Sequence, residues 1–372
     1  MATKGAGASE VGQTYMRAWQ LCQHLEDPYQ LFSVLHGLLY YYNARGEQQR
    51  AHALGEQLLT LAQQAQHSRM LVAAHMALGR IWFHLGVIAS AHTHLTQGIS
   101  LYDTHHHRGV GFLHGQDSGV ACRSYAAWTL WSLGYPDQGK VRNDEAIILA
   151  QQVAHSFSLG HALSRSAVFH QLRQEVQAAQ EHAEATISLA TEQGFPFLMA
   201  VGSLLNGWAL AHQGQAQEGI EQIHQGLRAH RATGSVLNQS YFLALLTEAH
   251  GSIEEPEAGL TVLTEALALV DTTGERWYEA ELHRLKGAFL LQQSSDDQAE
   301  TETCFQHAIR IAQSQHAKSW ELRAATSLAR LWQHQGKRAE ARELLAPVYG
   351  WFTEGFDTAD LQEAKALLDA LA

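Results

Sequence analysis

The sequence predicts an all-α solenoid: a right-handed superhelix of about eight helical hairpins plus a C-terminal capping helix. With 372 residues the chain is too long for one compact core. Its 5 prolines, among abundant Ala, Leu, Gln and Glu, favour helix. Chain turns recur at spacings of 37 to 48 residues, a period typical of stacked helical hairpins. The aligned turns are Gly46, Gly86, Gly134, Gln174, Gly214, Gly251, Ser294 and Gly336.

Small side chains recur at two fixed positions of this repeat, and Leu39 and Pro256 are the exceptions. A small residue on each helix lets two backbones approach closely. Because Gly inside a helix costs about 1 kcal/mol relative to Ala, its recurrence at one position requires a packing reason. Seven residues before the turns stand Gly79, Ala127, Ala167, Gly207, Ala244, Gly287 and Ala329, and five residues after them stand Ala51, Ala91, Gly139, Ala179, Gly219, Ala299 and Ala341.

Each turn separates the first helix of a hairpin from the second. An additional helix is predicted before Pro28, around Thr14 to Leu25, and a last helix over Thr358–Leu371 covers the open end of the stack. The predicted organisation is a flexible N-terminus over residues 1–10, a repeat array over 11–356 and the capping helix over 357–372. The first helices are predicted over 29–45, 68–85, 118–133, 157–173, 196–213, 236–250, 276–292 and 319–335.

One stretch carries a family resemblance. Leu78-Gly79-Arg80-Ile81-Trp82 fits the Leu-Gly-x-x-Tyr core of the tetratricopeptide repeat, with Trp82 in the aromatic place. Trp332 holds the same place before the last turn. The chain therefore resembles the tetratricopeptide superfamily in a long form of about 40 residues per repeat. The resemblance implies a tetratricopeptide-like solenoid in which the first helix of each hairpin lines a concave face.

Three stretches resemble a narrower family: Phe112–Ala121, Gly274–Leu282 and the end from Ala317 to Leu371, with its run Leu345–Thr358. They are similar to the C-terminal repeat region of large bacterial signalling proteins. In those proteins a class III nucleotide cyclase or kinase domain precedes a predicted ATPase and then such an array. The resemblance implies an adenylate cyclase-associated sensing or docking part. Related activators of the maltose-regulator type use similar arrays to bind small inducers or protein partners.

Composition narrows the function classes. The net charge is −12, and nucleic-acid binding depends on clustered Lys and Arg, so we expect no nucleic-acid partner. No stretch reaches the roughly 18 uncharged apolar residues that a membrane span needs. Cys22, Cys122 and Cys304 form no pairwise motif and predict buried thiols in a reducing cytoplasm. We expect a cytoplasmic protein.

The predicted binding residues come from the first helices. Positions ten, six and three before each turn should face the concave groove, where Trp and Arg are the residue types that anchor partners. The alternative is that these aromatic residues pack between hairpins. The predicted ligand- or partner-binding residues are His36, Tyr40, Arg80, Phe83, Trp128, Trp131, Trp208, Tyr241 and Arg284.

Two other stretches resemble sites. The loop Thr104–Gly115 accounts for the longest spacing and contains His105–His107, but three adjacent loop residues do not converge easily on one metal ion. Gly134–Val141 nearly matches a phosphate-binding loop, yet Val141 replaces the Ser or Thr that would hold Mg²⁺, and no strand precedes it. We predict no metal and no cofactor.

No catalytic set emerges, since the chain has no nucleophile elbow, no paired Cys and His, and no metalloprotease spacing. The leading hypothesis is a non-enzymatic interaction scaffold or regulatory module of a bacterial signalling system, with a protein or peptide segment bound in the groove. The alternative is a sensor of a small effector, closed by the 104–115 loop. The apolar hairpin ends would also permit self-association.

Overall fold

A computed structural model describes residues 5–22, 27–103, 115–293 and 298–372. These ranges contain 18 α-helices and no strand, and the predicted solenoid of eight hairpins is confirmed. The first helices of the hairpins are α2 (Pro28–Ala44), α4 (Ser68–His84), α6 (Ser118–Leu133), α8 (Ser156–Leu172), α10 (Pro196–His212), α12 (Gln239–Gly251), α14 (Glu279–Gln293) and α16 (Lys318–His334). The second helices are α3 (Gln48–Gln64), α5 (Ile88–Leu101), α7 (Pro136–Val153), α9 (Val176–Gln193), α11 (Ala216–Ala232), α13 (Pro256–Thr273), α15 (Gln298–Ser314) and α17 (Arg338–Tyr349).

The hairpin turns close at residues with left-handed backbone, as at Gly134, where φ is +93°. Glycine adopts this conformation without steric cost. One predicted turn is wrong: Gly251 is the last residue of α12, and the left-handed residue is Glu254, with φ of +56°. Once the turn is moved to Glu254, Gly259 stands five residues after it, so the second helix has its small residue, while Thr247 in place of Ala244 then stands seven residues before the turn. The predicted turn at Ser294 lies outside the described residues.

The small residues have the packing reason that their recurrence predicts. A Cβ atom on Gly207 would lie 2.7 Å from the carbonyl oxygen of Gly219 on the partner helix. A Cβ atom on Gly79 would lie 2.6 Å from Leu95, and one on Gly287 would lie 2.7 Å from the Phe305 ring. Contacts this short leave no room for a side chain, so these positions set the distance between the two helices of a hairpin.

The solenoid coils so tightly that successive superhelical turns touch. The amide of Val236, just before the sixth hairpin, donates a hydrogen bond to the carbonyl of Ala44 at the end of the first helix of hairpin one, at 2.8 Å. Ser319 Oγ donates in the same way to the Trp131 carbonyl, from hairpin eight to hairpin three, at 2.5 Å. The chain therefore returns onto itself after five hairpins, and its concave face becomes an interior.

Both chain ends take part in this packing. Within the stretch 1–10 that was expected to be flexible, Gly5 and Gly7 pack against Thr233 and Gly234, and α1 (Ser9–Cys22) already begins at Ser9. The coil places Gly5 and Gly7 against the turn before hairpin six, where both are buried. Residues 1–4 lie outside the described residues.

The predicted C-terminal capping helix is confirmed as α18 (Ala359–Ala370). Thr358 precedes it, and its hydroxyl donates to the Gly355 carbonyl at 2.7 Å. The buried side chains of this helix join the hydrophobic core of α16 and α17, so it covers the end of the stack.

Cys22, Cys122 and Cys304 are all buried free thiols, as the sequence predicts. Burial raises the pKa of Cys122 to about 12, so this thiol stays protonated and unreactive. In the ranges that the structure describes, every helix is too short or too polar to cross a bilayer.

Candidate functional site: a central cavity

The inward faces of the first helices line a partly open cavity of about 110 Å³. This volume is somewhat below the roughly 150 Å³ of an engineered cavity that binds benzene. Because the cavity is open on one side, a compact molecule can bind with part of its surface at the opening. Hairpins one superhelical turn apart both contribute to its lining. The apolar and aromatic lining consists of Tyr40, Tyr125, Trp128, Phe157, Val168, Phe197, Val201, Leu237, Tyr241, Phe242 and Trp277.

Two arginines, Arg80 on α4 and Arg165 on α8, line this cavity with only 4% and 7% of their surfaces exposed. The Arg80 guanidinium lies 3.9 Å from the centre of the Tyr40 ring, and the Arg165 guanidinium lies 4.9 Å from that of Tyr125. Nε and Nη2 of Arg80 and Nη1 of Arg165 have no hydrogen-bond partner among the described residues. The cavity therefore contains two buried cations with unused donors.

Gln116 links the two arginine sites. Its Oε1 accepts a hydrogen bond from Arg165 Nη2 at 2.9 Å, and its Nε2 donates to the Tyr40 hydroxyl at 2.6 Å. The next residue, Asp117, caps α6 by accepting a hydrogen bond from the Val120 amide at 2.9 Å. The start of α6 thus holds Gln116 in place, and Gln116 fixes the guanidinium of Arg165 against the cavity.

The lining carries no carboxylate among the described residues. The buried Glu275 lies close by, but it accepts hydrogen bonds from the Asn238 amide and the Trp277 indole, both at 2.9 Å. His161 lines the cavity too, and burial, reinforced by the two arginines, holds its pKa well below the usual range. His161 is therefore neutral at pH 7, and the arginines give the lining a net positive charge.

Four of the nine predicted binding residues line the cavity: Tyr40, Arg80, Trp128 and Tyr241. Two more lie beside it. The His36 ring is 4.9 Å from that of Tyr40, and the Phe83 ring is 5.0 Å from that of Trp277. Helical phase had placed these six residues on the inner face.

The other three predicted residues lie elsewhere. Trp131 is buried against Trp320, with ring centres 4.6 Å apart, and Trp208 is buried with its indole N–H donating to Glu248 Oε2 at 2.8 Å. Arg284 is bound to Glu281 at 2.7 Å in a separate polar depression. The two tryptophans therefore pack between hairpins, as the alternative interpretation of the aromatic residues predicted. For Trp131 the closed coil is the cause, because it brings hairpin eight onto the face that was expected to be an open groove, whereas Trp208 bonds to Glu248 of the neighbouring hairpin six.

That second depression differs from the central cavity in its charge balance. Arg323 pairs with Asp360 at 2.8 Å, and Arg330 pairs with Glu363 at 2.5 Å. Each of its arginines thus has a carboxylate partner from the chain itself, and the depression needs no ligand to balance its charge.

Neither of the two other stretches forms a site in the described residues. Residues 104–114 of the His-rich loop lie outside them, and only its last residue, Gly115, is seen to line the cavity. No group of three potential metal ligands occurs in the ranges described. At the near-match to a phosphate loop, the amides of Asp137 and Gln138 donate to Glu354 Oε1, both at 3.0 Å. The chain's own carboxylate thus occupies the start of α7.

Arg165 and Trp277 also line the cavity, although neither is among the predicted binding residues. Arg165 had a detectable signal, since it is a single cation among small and apolar residues in the middle of a first helix. Trp277 precedes its helix, and only the superhelical coil brings it to the cavity.

No protein-family model matches the chain. An uncharacterized protein of Rhizobium meliloti (strain 1021) is 26% identical over 255 residues, which cover 68% of this chain and 25% of that protein. The chain thus spans about a quarter of the length of the curated relative that it matches.

Two solved structures share the architecture. A Rap protein complexed with Competence and Sporulation Factor superposes with a TM-score of 0.56 at 12% identity, covering 82% of this chain and 85% of that one. A human IFIT1 dimer with PPP-AAAA superposes with a TM-score of 0.51 at 13% identity, covering 98% and 78%. Identities this low establish the fold alone: the chain is a tetratricopeptide-like helical repeat array.

Proposed function

We propose that this chain is a non-enzymatic regulatory module that binds a small effector in the central cavity and signals its presence to a partner protein. The observation that carries the proposal is the central cavity, with two buried guanidiniums that each have at least one donor without a partner among the described residues. Buried polar groups in folded proteins are nearly always satisfied, so unused donors at a cavity point to a bound molecule.

The position of the cavity supports a regulatory role. Tyr40 and Arg80 come from the first two hairpins, whereas Tyr241 and Trp277 come from hairpins six and seven. A ligand that touches both walls binds only the closed coil and therefore shifts the population toward it. A partner that recognises the closed coil then responds to the ligand without touching it.

We place the partner in a bacterial signalling system, on the resemblance to the repeat regions that follow nucleotide cyclase and ATPase domains. The longer Rhizobium meliloti protein is in keeping with an array that works within a larger chain. The two solved arrays are complexes, one with Competence and Sporulation Factor and one with PPP-AAAA, but that likeness is one of fold. The net charge of −12 opposes a polyanionic partner, so we expect a protein.

A partner segment bound along the concave face is the less favoured function. The inward side chains that would hold it, such as Trp131 and Trp208, are buried against other hairpins. Binding a segment there would first require the coil to open. We therefore propose that the protein partner docks on the outer surface or at a hairpin end. Self-association through those ends stays a prediction, checked by light scattering over a range of protein concentrations.

The test is to fill the cavity. Val168→Phe adds a ring at the cavity wall, and Val141→Phe makes the same change at a valine that is 57% exposed. Calorimetric melting would be followed with benzoate, benzyl alcohol and benzylamine, which share one ring and differ in charge. We expect at least one compound to raise the melting temperature of the wild type and of Val141→Phe, but not that of Val168→Phe. If none of the three distinguishes the filled variant, the cavity is not a binding site.

A further inference from the structure

We infer that the effector is a compact organic oxyanion, a carboxylate or phosphate ester on an apolar body, and that Arg80 and Arg165 bind its oxygens. This inference rests on the proposed function, because it names the chemistry of the molecule that the cavity would bind.

Charge is the first reason. Arginine cannot relieve burial by losing its proton at physiological pH, so both guanidiniums remain cations. Burial lowers the pKa of Arg165, and the like charge of the nearby Arg80 lowers it as well. Stacking on Tyr40 and Tyr125 offsets only part of the cost of burial. In the described residues neither arginine has a carboxylate partner, and an anionic ligand would supply one.

The lack of carboxylate partners for Arg80 and Arg165 among the described residues is informative because other buried arginines of the chain have them. Asp and Glu number 37 against 25 Lys and Arg, so acidic partners are not scarce. The polar depression around Arg323 shows the ordinary arrangement, in which each buried or half-buried arginine lies against an acid of the chain. The central cavity departs from that pattern at two arginines together.

Geometry is the second reason. Nε and Nη2 form one edge of a guanidinium, and this edge binds carboxylate or phosphate through two parallel hydrogen bonds. At Arg80 both of these atoms are without a partner among the described residues, and Nη1 of Arg165 is a third free donor. Another part of the lining, which includes Phe157, Phe197 and Val201, is apolar and suits the body that carries the anion.

The inference predicts opposite effects on ligand binding and on stability. Arg80→Met keeps most of the side-chain volume but removes a buried, unpaired charge. Replacing such a charge by an apolar side chain often stabilises a protein. We therefore expect Arg80→Met to melt at a higher temperature than the wild type without ligand, while losing the anion. A purely structural Arg80 would give a lower melting temperature instead.

A second variant keeps the test informative if Arg80→Met folds poorly. Gln116 Oε1 already accepts a hydrogen bond from Arg165. Gln116→Glu would place a carboxylate of the chain at that position and so compete with the ligand. As a control, Arg330→Met removes a half-exposed arginine that is paired with Glu363, far from the cavity lining.

The experiment is isothermal titration of each protein with benzoate, phenyl phosphate and benzyl alcohol at constant chloride. We expect one of the two anions to bind the wild type at least tenfold more tightly than the alcohol does. Arg80→Met and Gln116→Glu should each weaken that anion at least tenfold and leave the alcohol unchanged, whereas Arg330→Met should match the wild type.

The two proposals fail differently. If benzoate, phenyl phosphate and benzyl alcohol bind equally well, and Arg80→Met changes none of them, the cavity binds ligands but the anion inference is wrong. If none of the three binds the wild type or the variants, the proposed function fails together with the inference. A preference for benzoate or for phenyl phosphate identifies the anion as carboxylate or phosphate.

Discussion

The amide of Arg276 donates a hydrogen bond to the carbonyl oxygen of His84 at 2.7 Å and so joins the seventh hairpin to the second. This bond repeats, five hairpins apart, the relationship between Val236 and Ala44. In an open solenoid each repeat contacts only its neighbours. Here the contacts between coils convert the concave face into an interior with a cavity, and several measurable consequences follow.

The ion pair of Arg323 and Asp360 should matter for stability, because both side chains are buried where the capping helix meets the array. Asp360→Ala leaves the buried guanidinium with the Leu172 carbonyl as an acceptor and with Glu281, 3.8 Å away, as its remaining carboxylate. We expect the free energy of unfolding in urea to fall by about 3 kcal/mol. Glu363→Ala on the same helix breaks a half-exposed pair with Arg330 and should cost at most about 1 kcal/mol. Equal losses for the two variants would contradict the buried pairing.

The contact between Gly207 and Gly219 predicts that two glycine-to-alanine substitutions differ in their effect on stability. A methyl group at Gly207 meets a backbone carbonyl, which cannot move without separating the helices. Gly207→Ala should therefore lower the free energy of unfolding by about 1–3 kcal/mol. At Gly160 a methyl group meets the end of the Leu198 side chain, at 2.6 Å, which can rotate away. Gly160→Ala should be neutral, or gain up to about 1 kcal/mol from helix propensity. The check is urea unfolding of both, and a harmless Gly207→Ala would refute the close approach.

Buried histidines predict how stability depends on pH. Burial lowers the pKa of His230 from 6.5 to about 4, with Arg231 adding to the shift. Between these values the unfolded chain takes up a proton at His230 and the folded chain does not. Stability therefore rises with pH across this window, by about 1.4 kcal/mol per pH unit for this one group.

The His230→Leu variant should lose that share of the slope, measured by urea unfolding at pH 5, 5.5, 6 and 7. His334→Leu alters an exposed histidine and should leave the wild-type slope unchanged. A His230→Leu slope equal to that of the wild type would mean that His230 is accessible to solvent protons in the folded chain.

Tryptophans on the inner face should behave as core residues. Trp208 is 1% exposed, and its indole N–H donates to Glu248 Oε2. Trp208→Ala should therefore lower the free energy of unfolding by about 3–5 kcal/mol. Trp19 on α1 is 40% exposed, and Trp19→Ala should stay within about 1 kcal/mol of the wild type. The measurement is urea unfolding of both variants. If Trp208→Ala were as stable as Trp19→Ala, Trp208 would not be a core residue, and the interpretation of an open groove would be favoured again.

The fold was largely predictable because its signals are local. Small residues at fixed distances from a turn determine how one helix packs on the next, and both lie within a single repeat. The turn at Gly251 was misplaced because glycine was taken as the mark of left-handed backbone, whereas Glu254 adopts it three residues later.

The site was predictable only in part. Helical phase identifies Tyr40, Arg80, Trp128 and Tyr241 as inward-facing, and all four line the cavity. Which hairpins face each other depends on the superhelical pitch, a small rotation per repeat that no single position encodes. Trp277 could not be found for this reason.

Touching coils also give the array a minimum length. A chain cut before the sixth hairpin would lose Val236 and with it the bond to Ala44, as well as the wall formed by Tyr241 and Trp277. Such a fragment would keep helices but lose part of the lining of the central cavity. Gain or loss of whole repeats, which open solenoids tolerate, would here disrupt this cavity. Unfolding should also be more cooperative than that of a row of independent units.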